Sequence, residues 1–318
     1  MATTPTRPAS KPRKPQQRTF RELGEELTAK ANSLSSQSAP FVMPVLFIAF
    51  GFALSALAGQ LIALACWAGL VLLSQIGWAI KRSQIRRSPT IDWDSAASYE
   101  QDLLSVVHPD VADVVAQSRT AARQRDYDLH LYPIRCSCGH PDDACICVMR
   151  WSAGTYPVPG TRHVILLVGD QLMQPANLEV LRFVLTHERA HLRRTYMAAH
   201  WIRMTVLADV AVLAGIFSPG LIVLAGLAGV LLLHVTVSWT LEIACDINAA
   251  MTHGGAAPAY WILNRPIRRR RTAALRWWQR PLLLTPMLIH PPKALRLRIC
   301  AYIHRLSPTI AGSRGTGN

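Results

Sequence analysis

The stretch Leu181–His191, which reads LRFVLTHERAH, contains the pattern His-Glu-x-x-His and follows Asn177, a candidate helix N-cap. Residues four apart on a helix lie one turn above each other, so His187 and His191 present two imidazoles from one face. That spacing suits tetrahedral zinc. Glu188 stands beside the first histidine, where it can take a proton from a water that the metal activates. The stretch predicts a helix with a catalytic zinc site; a surface helix with two unrelated histidines is the alternative.

Long runs without charge dominate the rest of the chain, of whose 318 residues half are hydrophobic. Residues 31–80 contain no charged side chain, and residues 204–241 contain only Asp209. Each run is about twice the roughly 20 residues that a membrane-spanning helix needs. We therefore predict four transmembrane helices in two hairpins, which turn near Gly59 and at 218–220; buried core hairpins are the alternative.

The net charge of +15 is concentrated beside these runs, within residues 7–21, 81–87, 189–194 and 265–271. Positive charge marks the cytosolic flanks of membrane helices, so both termini are expected in the cytoplasm and the protein in the plasma or inner membrane. The basic flanks would contact a lipid bilayer with anionic headgroups. This distribution argues against nucleic acid as a partner.

The predicted fold class is a multi-pass α-helical membrane protein with a small α+β zinc-metalloprotease domain. Its expected segments are a disordered basic cytosolic tail (1–38), a transmembrane hairpin (39–80), the cytosolic metalloprotease domain (81–200), a second hairpin (201–241), a segment with late motifs (242–306) and a disordered tail (307–318). Within the soluble domain, hydrophobic patterning predicts a helix over Tyr99–Arg125 and strands over Asp128–Pro133, Cys147–Ser152 and His163–Val168.

Two Cys-x-Cys pairs interrupt this domain and account for four of the seven cysteines: Cys136, Cys138, Cys145 and Cys147. In a reducing cytoplasm such clustering favours a second, structural zinc over disulfides. Zinc loops more often use Cys-x-x-Cys, so a redox-responsive pair and inert surface thiols stay open as alternatives.

A site of this kind needs a third protein ligand, which leaves the fourth position for water. Glu242 follows the last predicted span on the cytosolic side and is the best-placed candidate. Asp246, one turn further on, can accept a hydrogen bond from the outward nitrogen of a ligand histidine. A carboxylate that only marks the membrane boundary is the alternative for Glu242. Taken by its residues alone, the later stretch Ile289–Leu297 is a loop and a helix start with no assigned role.

Four features in this order resemble the HtpX-type membrane zinc metallopeptidases, a family that also includes the CAAX prenyl proteases. They are a strand and leucine-rich lead, His187-Glu188-x-x-His191, Glu242-x-x-x-Asp246, and His290-Pro291-Pro292-x-x-x-Arg296. The resemblance covers about residues 40–305, without the basic tail and the cysteine loop. That loop lies close to where the family has its substrate-binding edge strand, so peptide binding there is expected to be altered.

The resemblance implies that His187, His191 and Glu242 bind zinc. It also implies that Asp246 orients a ligand and that Glu188 is the general base. His290 and Arg296 would line the site. The sequence Glu-Ile-Ala-Cys-Asp, which contains Cys245, and the sequence His-Glu-Arg-Ala-His also resemble those of the BlaR-type sensor peptidases.

We therefore expect an integral membrane zinc metalloendopeptidase that cleaves membrane-associated or misfolded proteins at the cytosolic face. Zinc would polarise the scissile carbonyl, Glu188 would accept a proton, and His290 would donate to the developing oxyanion. One alternative is a BlaR-type signalling peptidase that cleaves a specific regulator, although the turns near Gly59 and Pro219 are too short for an external sensor domain. The other is a proteolytically inactive scaffold, which the intact Glu188 disfavours.

Overall fold

The structure, a computed structural model, describes residues 19–32, 34–69, 71–72, 76, 91–134, 148–158, 161–192, 209–217, 221–263, 273 and 290–314. Its principal helices are α1 (Phe20–Asn32), α2 (Leu34–Ala58), α3 (Trp93–Val106), α4 (Pro109–Arg123), α5 (Leu178–His191), α6 (Leu221–His253) and α7 (Lys293–Arg314). The strands are β1 (Asp128–Ile134), β2 (Ala153–Pro157) and β3 (His163–Gly169). Residues 60–69, 209–217 and 257–263 are also helical.

The three strands form one sheet in the order β1-β3-β2. β1 runs parallel to β3, with Asp128 opposite His163, and β2 runs antiparallel to β3, with Thr155 opposite Leu166. Within the described residues β2 is therefore an edge strand. The central strand is buried along almost its whole length, as its continuous apolar run HVILLVG requires.

Alternate residues of β3 enter two different apolar clusters. Val164, Leu166 and Val168 pack on one face with residues of α4, α5 and α6, while Ile165 and Leu167 pack on the other. Successive side chains on a strand point to opposite faces, so a strand covered on both sides must be apolar at every position. The sheet thus forms a middle layer, and α5 lies across one of its faces.

Two local predictions differ from the structure. The expected strand over Cys147–Ser152 is wrong, because Val148–Trp151 form a 3-10 turn and the strand begins at Ala153. Gly154 and Pro157 give β2 a weak strand signal, although both residues are tolerated on an edge strand. The expected single helix over Tyr99–Arg125 is divided, since Pro109 occupies the first turn of α4 after the cap His108.

Helix α1 corrects the expectation that residues 1–38 are disordered, since it occupies Phe20–Asn32. Its start is a capping box, in which the Thr19 amide donates to Glu22 and the Glu22 amide donates to the Thr19 hydroxyl. Phe20 is buried against Trp93, Tyr99 and Tyr132. Composition pointed to disorder, but the cap and one buried aromatic side chain order this helix.

The prediction of four transmembrane helices in two hairpins is wrong. Within the described residues, no helix combines the length and the apolar character that crossing a bilayer demands. A charge-free run measures length along the chain, whereas a span requires one continuous apolar helix. The first run is interrupted at Gly59, whose φ is +81°. Part of its surface also packs internally, since a Cβ added at Gly51 would lie 2.5 Å from the carbonyl oxygen of Val212. The membrane location and the cytosolic termini stay predictions.

Candidate metal centre

Helix α5 places two imidazoles on one face, with His187 Nε2 and His191 Nε2 3.1 Å apart. The rest of the helix is packed into the core, through Leu181 and Leu185 on other sides and through Val184 on the same side as the histidines. Burial of these side chains sets the rotation of the helix and leaves His187, itself 8% exposed, facing α6. Asn177 precedes the helix as expected, but its side-chain amide donates to the Gln171 carbonyl instead of capping.

Helix α6 brings Glu242 to the same two nitrogens. Its Oε2 lies 3.7 Å from His187 Nε2 and its Oε1 lies 3.6 Å from His191 Nε2. The ligand atoms of the three residues all fall within 4.8 Å of one another. These spacings leave room for an ion between the donors, so His187, His191 and Glu242 form a group that could hold a metal ion.

A chain of polar contacts supports His187 from behind. Asp246 Oδ1 lies 3.0 Å from His187 Nδ1, and Arg296 donates to both oxygens of Asp246 at 2.6 and 2.7 Å. Burial alone would raise the pKa of Asp246, but the contacts with His187 and Arg296 lower it. An ionised Asp246 favours a proton on Nδ1 of His187, which leaves Nε2 free to coordinate a metal.

His290 and Arg296 also reach Glu242. His290 Nδ1 lies 3.2 Å from Glu242 Oε2, and Arg296 Nη2 lies 3.4 Å from the same oxygen. Burial opposes ionisation of this carboxyl, yet His290 and the two α5 histidines hold the pKa of Glu242 well below its ordinary value. The His290 side chain remains 47% exposed, so the site opens to solvent on that side.

Glu188 is partly buried beside this group and turns towards β2. The amide and the hydroxyl of Thr155 donate to Glu188 Oε2 at 3.1 and 3.2 Å. Burial raises the pKa of Glu188 to about 7. The nearby Glu242 carboxylate also raises this pKa, whereas His191 lowers it. A carboxyl whose pKa lies near neutrality is suited to accept and release a proton.

The sequence did not predict the contacts that two residues, Thr155 and Cys245, make at the site. Thr155 had no recognisable signal, because its role depends on where the edge strand lies. For Cys245 the sequence indicated only a resemblance to the BlaR-type peptidases, yet its Sγ lies 3.4 Å from His191 Nδ1. Helical spacing could have suggested this contact, since Cys245 lies three positions after Glu242 and therefore on nearly the same face of α6.

The four cysteines predicted as a second metal site, Cys136, Cys138, Cys145 and Cys147, lie outside the described residues. Among the described residues, the His187, His191 and Glu242 group is the set that meets the geometry of a three-ligand metal site.

Comparison of the whole chain with family models, with curated proteins and with solved structures found no match.

Proposed function

We propose that this protein is a zinc-dependent endopeptidase whose metal ligands are His187, His191 and Glu242. The observation that carries the proposal is the meeting of these three donors with a partly buried carboxyl group, that of Glu188, next to them. Two imidazoles and one carboxylate are a donor set of catalytic zinc sites, in which the fourth position is left for water or substrate. The resemblance to the HtpX-type metallopeptidases supports the same ligands.

The residues around the ligands have the roles that peptide hydrolysis requires. When bound, zinc supplies a Lewis acid that acidifies a water molecule and polarises a carbonyl. Glu188 accepts the proton of the attacking water and later delivers it to the leaving amine. Thr155 holds one oxygen of Glu188 and so fixes the direction of the carboxylate. Arg296 and Asp246 hold His187 in the tautomer that coordinates through Nε2.

His290 is the proposed donor to the developing oxyanion. It is the half-exposed member of the group and lies 3.2 Å from Glu242, so its ring sits at the open side of the site. Charge that develops on the carbonyl oxygen is stabilised by a donor held ready in this way. Loss of the ring is expected to lower turnover while the metal stays bound.

The edge strand supports a peptide as substrate. Among the described residues β2 is paired only on its β3 side, and its Thr155 touches Glu188. An extended peptide that added to the other side of β2 would form main-chain hydrogen bonds and pass close to the proposed base. Protein or peptide substrates bound in this extended form are therefore part of the proposal.

The deciding experiment combines metal analysis of purified protein with casein cleavage before and after chelation. Glu188→Gln keeps both imidazoles and removes the base, so zinc should stay bound while cleavage falls by about a hundredfold or more. Glu179→Gln, an exposed position on the same helix, is the matched control and should cleave normally. Zinc without cleavage in the wild type would favour the inactive scaffold instead, and cleavage by Glu188→Gln at the wild-type rate would overturn the mechanism.

A signalling peptidase with one regulator protein as substrate is the second candidate function. The contact between Cys245 and His191 favours this function, because the sequence around that cysteine resembles the sequence of the BlaR-type sensors. Both candidates use the same site and differ in substrate range. Cleavage of casein and other unrelated proteins would favour the general endopeptidase over the regulator-specific one.

A further inference from the structure

A cavity of about 330 Å³ lies on the face of α5 opposite the metal ligands. A helix turns about 100° per residue, which places Arg182, Leu185 and Arg189 half a turn away from His187 and His191. The polar lining of the cavity consists of Gln117 and Ser118 from α4, Arg182, Thr186 and Arg189 from α5, and His253 at the end of α6.

Arg189 carries a positive charge that no described carboxylate balances. Its Nε is buried without a hydrogen-bond partner, and it takes part in no ion pair within the described residues. Of the nineteen acidic residues in the sequence, only Asp142 and Asp143 lie outside the described part. A half-buried guanidinium without a counter-ion is costly, and an anion in the cavity would relieve that cost.

Ser118 is a second polar group without a partner at the same cavity. Its side chain is 4% exposed, and its Oγ makes no hydrogen bond in the described part of the chain. Buried hydroxyl groups normally make a hydrogen bond. An unpaired hydroxyl that faces a cavity therefore points to a ligand that accepts a hydrogen bond from it. Arg189 and Ser118 come from different helices and face the same space.

The carboxylates near the cavity are engaged elsewhere or lie outside it. Glu179 is 64% exposed and pairs with Arg182 through a contact of 2.8 Å between Oε1 and Nη1. Asp113 accepts a hydrogen bond of 2.8 Å from the Gln117 side-chain amide. Arg182 and Arg189 therefore outnumber the one carboxylate that competes with an incoming anion, and His253 adds an imidazole that can donate a hydrogen bond.

We infer that this cavity is a binding site for a phosphate group, supplied either as inorganic phosphate or as a small phosphomonoester. Its lining provides guanidinium, hydroxyl and amide donors, and a phosphate offers several acceptor oxygens and two negative charges. The site is independent of the metal centre, because it lies on the other face of α5 and shares none of the proposed ligands.

Isothermal titration calorimetry with inorganic phosphate, against sodium chloride at equal ionic strength, tests the inference. We expect saturable binding by the wild type, both with zinc and after chelation. Arg189→Gln and Ser118→Ala should each weaken it, the first by at least about tenfold. Glu179→Gln removes the competing carboxylate and should tighten it. Arg123→Gln, which removes an exposed charge from α4 outside the cavity, is the matched control and should bind like the wild type.

The outcomes separate the alternatives. Absence of saturable heat in the wild type overturns the inference, and so does binding that disappears on chelation, which would place the phosphate on the metal. Equal losses in Arg123→Gln and Arg189→Gln would show diffuse surface attraction only. If circular dichroism shows that Arg189→Gln does not fold, the other two variants test the inference. Ser118→Ala should then weaken phosphate binding and Glu179→Gln should tighten it. Parallel titrations with glycerol phosphate show which source of the phosphate group is preferred.

Discussion

Arg296 donates two hydrogen bonds to Asp246, of 2.6 Å from Nε and 2.7 Å from Nη2, across 50 positions of sequence. The guanidinium also lies 5.0 Å from the ring centre of Trp261, which adds a cation–π contact. These contacts join α7 to α6 directly behind His187. The stretch that sequence alone left without a role is therefore part of the support of the metal group.

Arg296→Lys should weaken metal binding although it keeps the charge. A lysine cannot donate the two parallel hydrogen bonds, so Asp246 would hold His187 less firmly. We expect zinc affinity to fall by about 10- to 100-fold, measured by competition with a chromophoric chelator. Arg298→Lys, an exposed position on the same helix, is the control and should bind zinc normally. Unchanged affinity in Arg296→Lys would separate Arg296 from the metal site.

Glu242→Ala should remove the metal altogether, because two imidazoles alone hold zinc poorly. The measurement is the zinc content of purified protein by atomic absorption, together with casein cleavage. Thr240→Ala, an exposed position two residues earlier on α6, should keep both. Stoichiometric zinc in Glu242→Ala would point to another third ligand.

The metal-free protein should show the raised pKa of Glu188 in its stability. Burial raises this pKa from 4.5 to about 7, so the protonated form favours folding. That contribution is present below the unfolded-state pKa and is lost as the pH rises towards 7. Relative to Glu188→Gln, which does not titrate, the wild type should lose on the order of 3 kcal/mol of unfolding free energy between about pH 5 and 8.

Urea denaturation of both metal-free proteins across this pH range measures the difference. Other groups with shifted pKa values, such as Glu242 and Asp246, are present in both proteins and largely cancel. A difference in unfolding free energy that does not change with pH would contradict the raised pKa of Glu188.

Cys245→Ala should loosen His191, whose Nδ1 lies 3.4 Å from the cysteine sulfur. Loss of this partner is expected to weaken zinc binding by about tenfold and to change the visible spectrum of the cobalt-substituted protein. Cys245→Ser restores a polar partner and should recover much of the loss. Cys300→Ser, another buried cysteine, is the control for a change of core polarity. Equal behaviour of the alanine and serine variants would reduce Cys245 to a packing residue.

Local periodicity explains what sequence could predict about the site. His187 and His191 are one helical turn apart, and so are Glu242 and Asp246, so each pair shares a face wherever its helix lies. The apolar runs of β1 and β3 likewise identify two buried strands without any tertiary information. The capping box of Thr19 and Glu22 was equally readable, but the polar composition around it led to the prediction of disorder.

Tertiary structure decided which of these local pieces meet. Hydropathy gave the length of the apolar runs but not the interruption at Gly59 or the close packing at Gly51, and the predicted transmembrane hairpins were wrong for that reason. Thr155 reaches Glu188 only because a strand with weak sequence signal pairs at the edge of the sheet. Contacts within a helix follow from its fixed geometry, whereas contacts between distant segments depend on how their buried faces pack together.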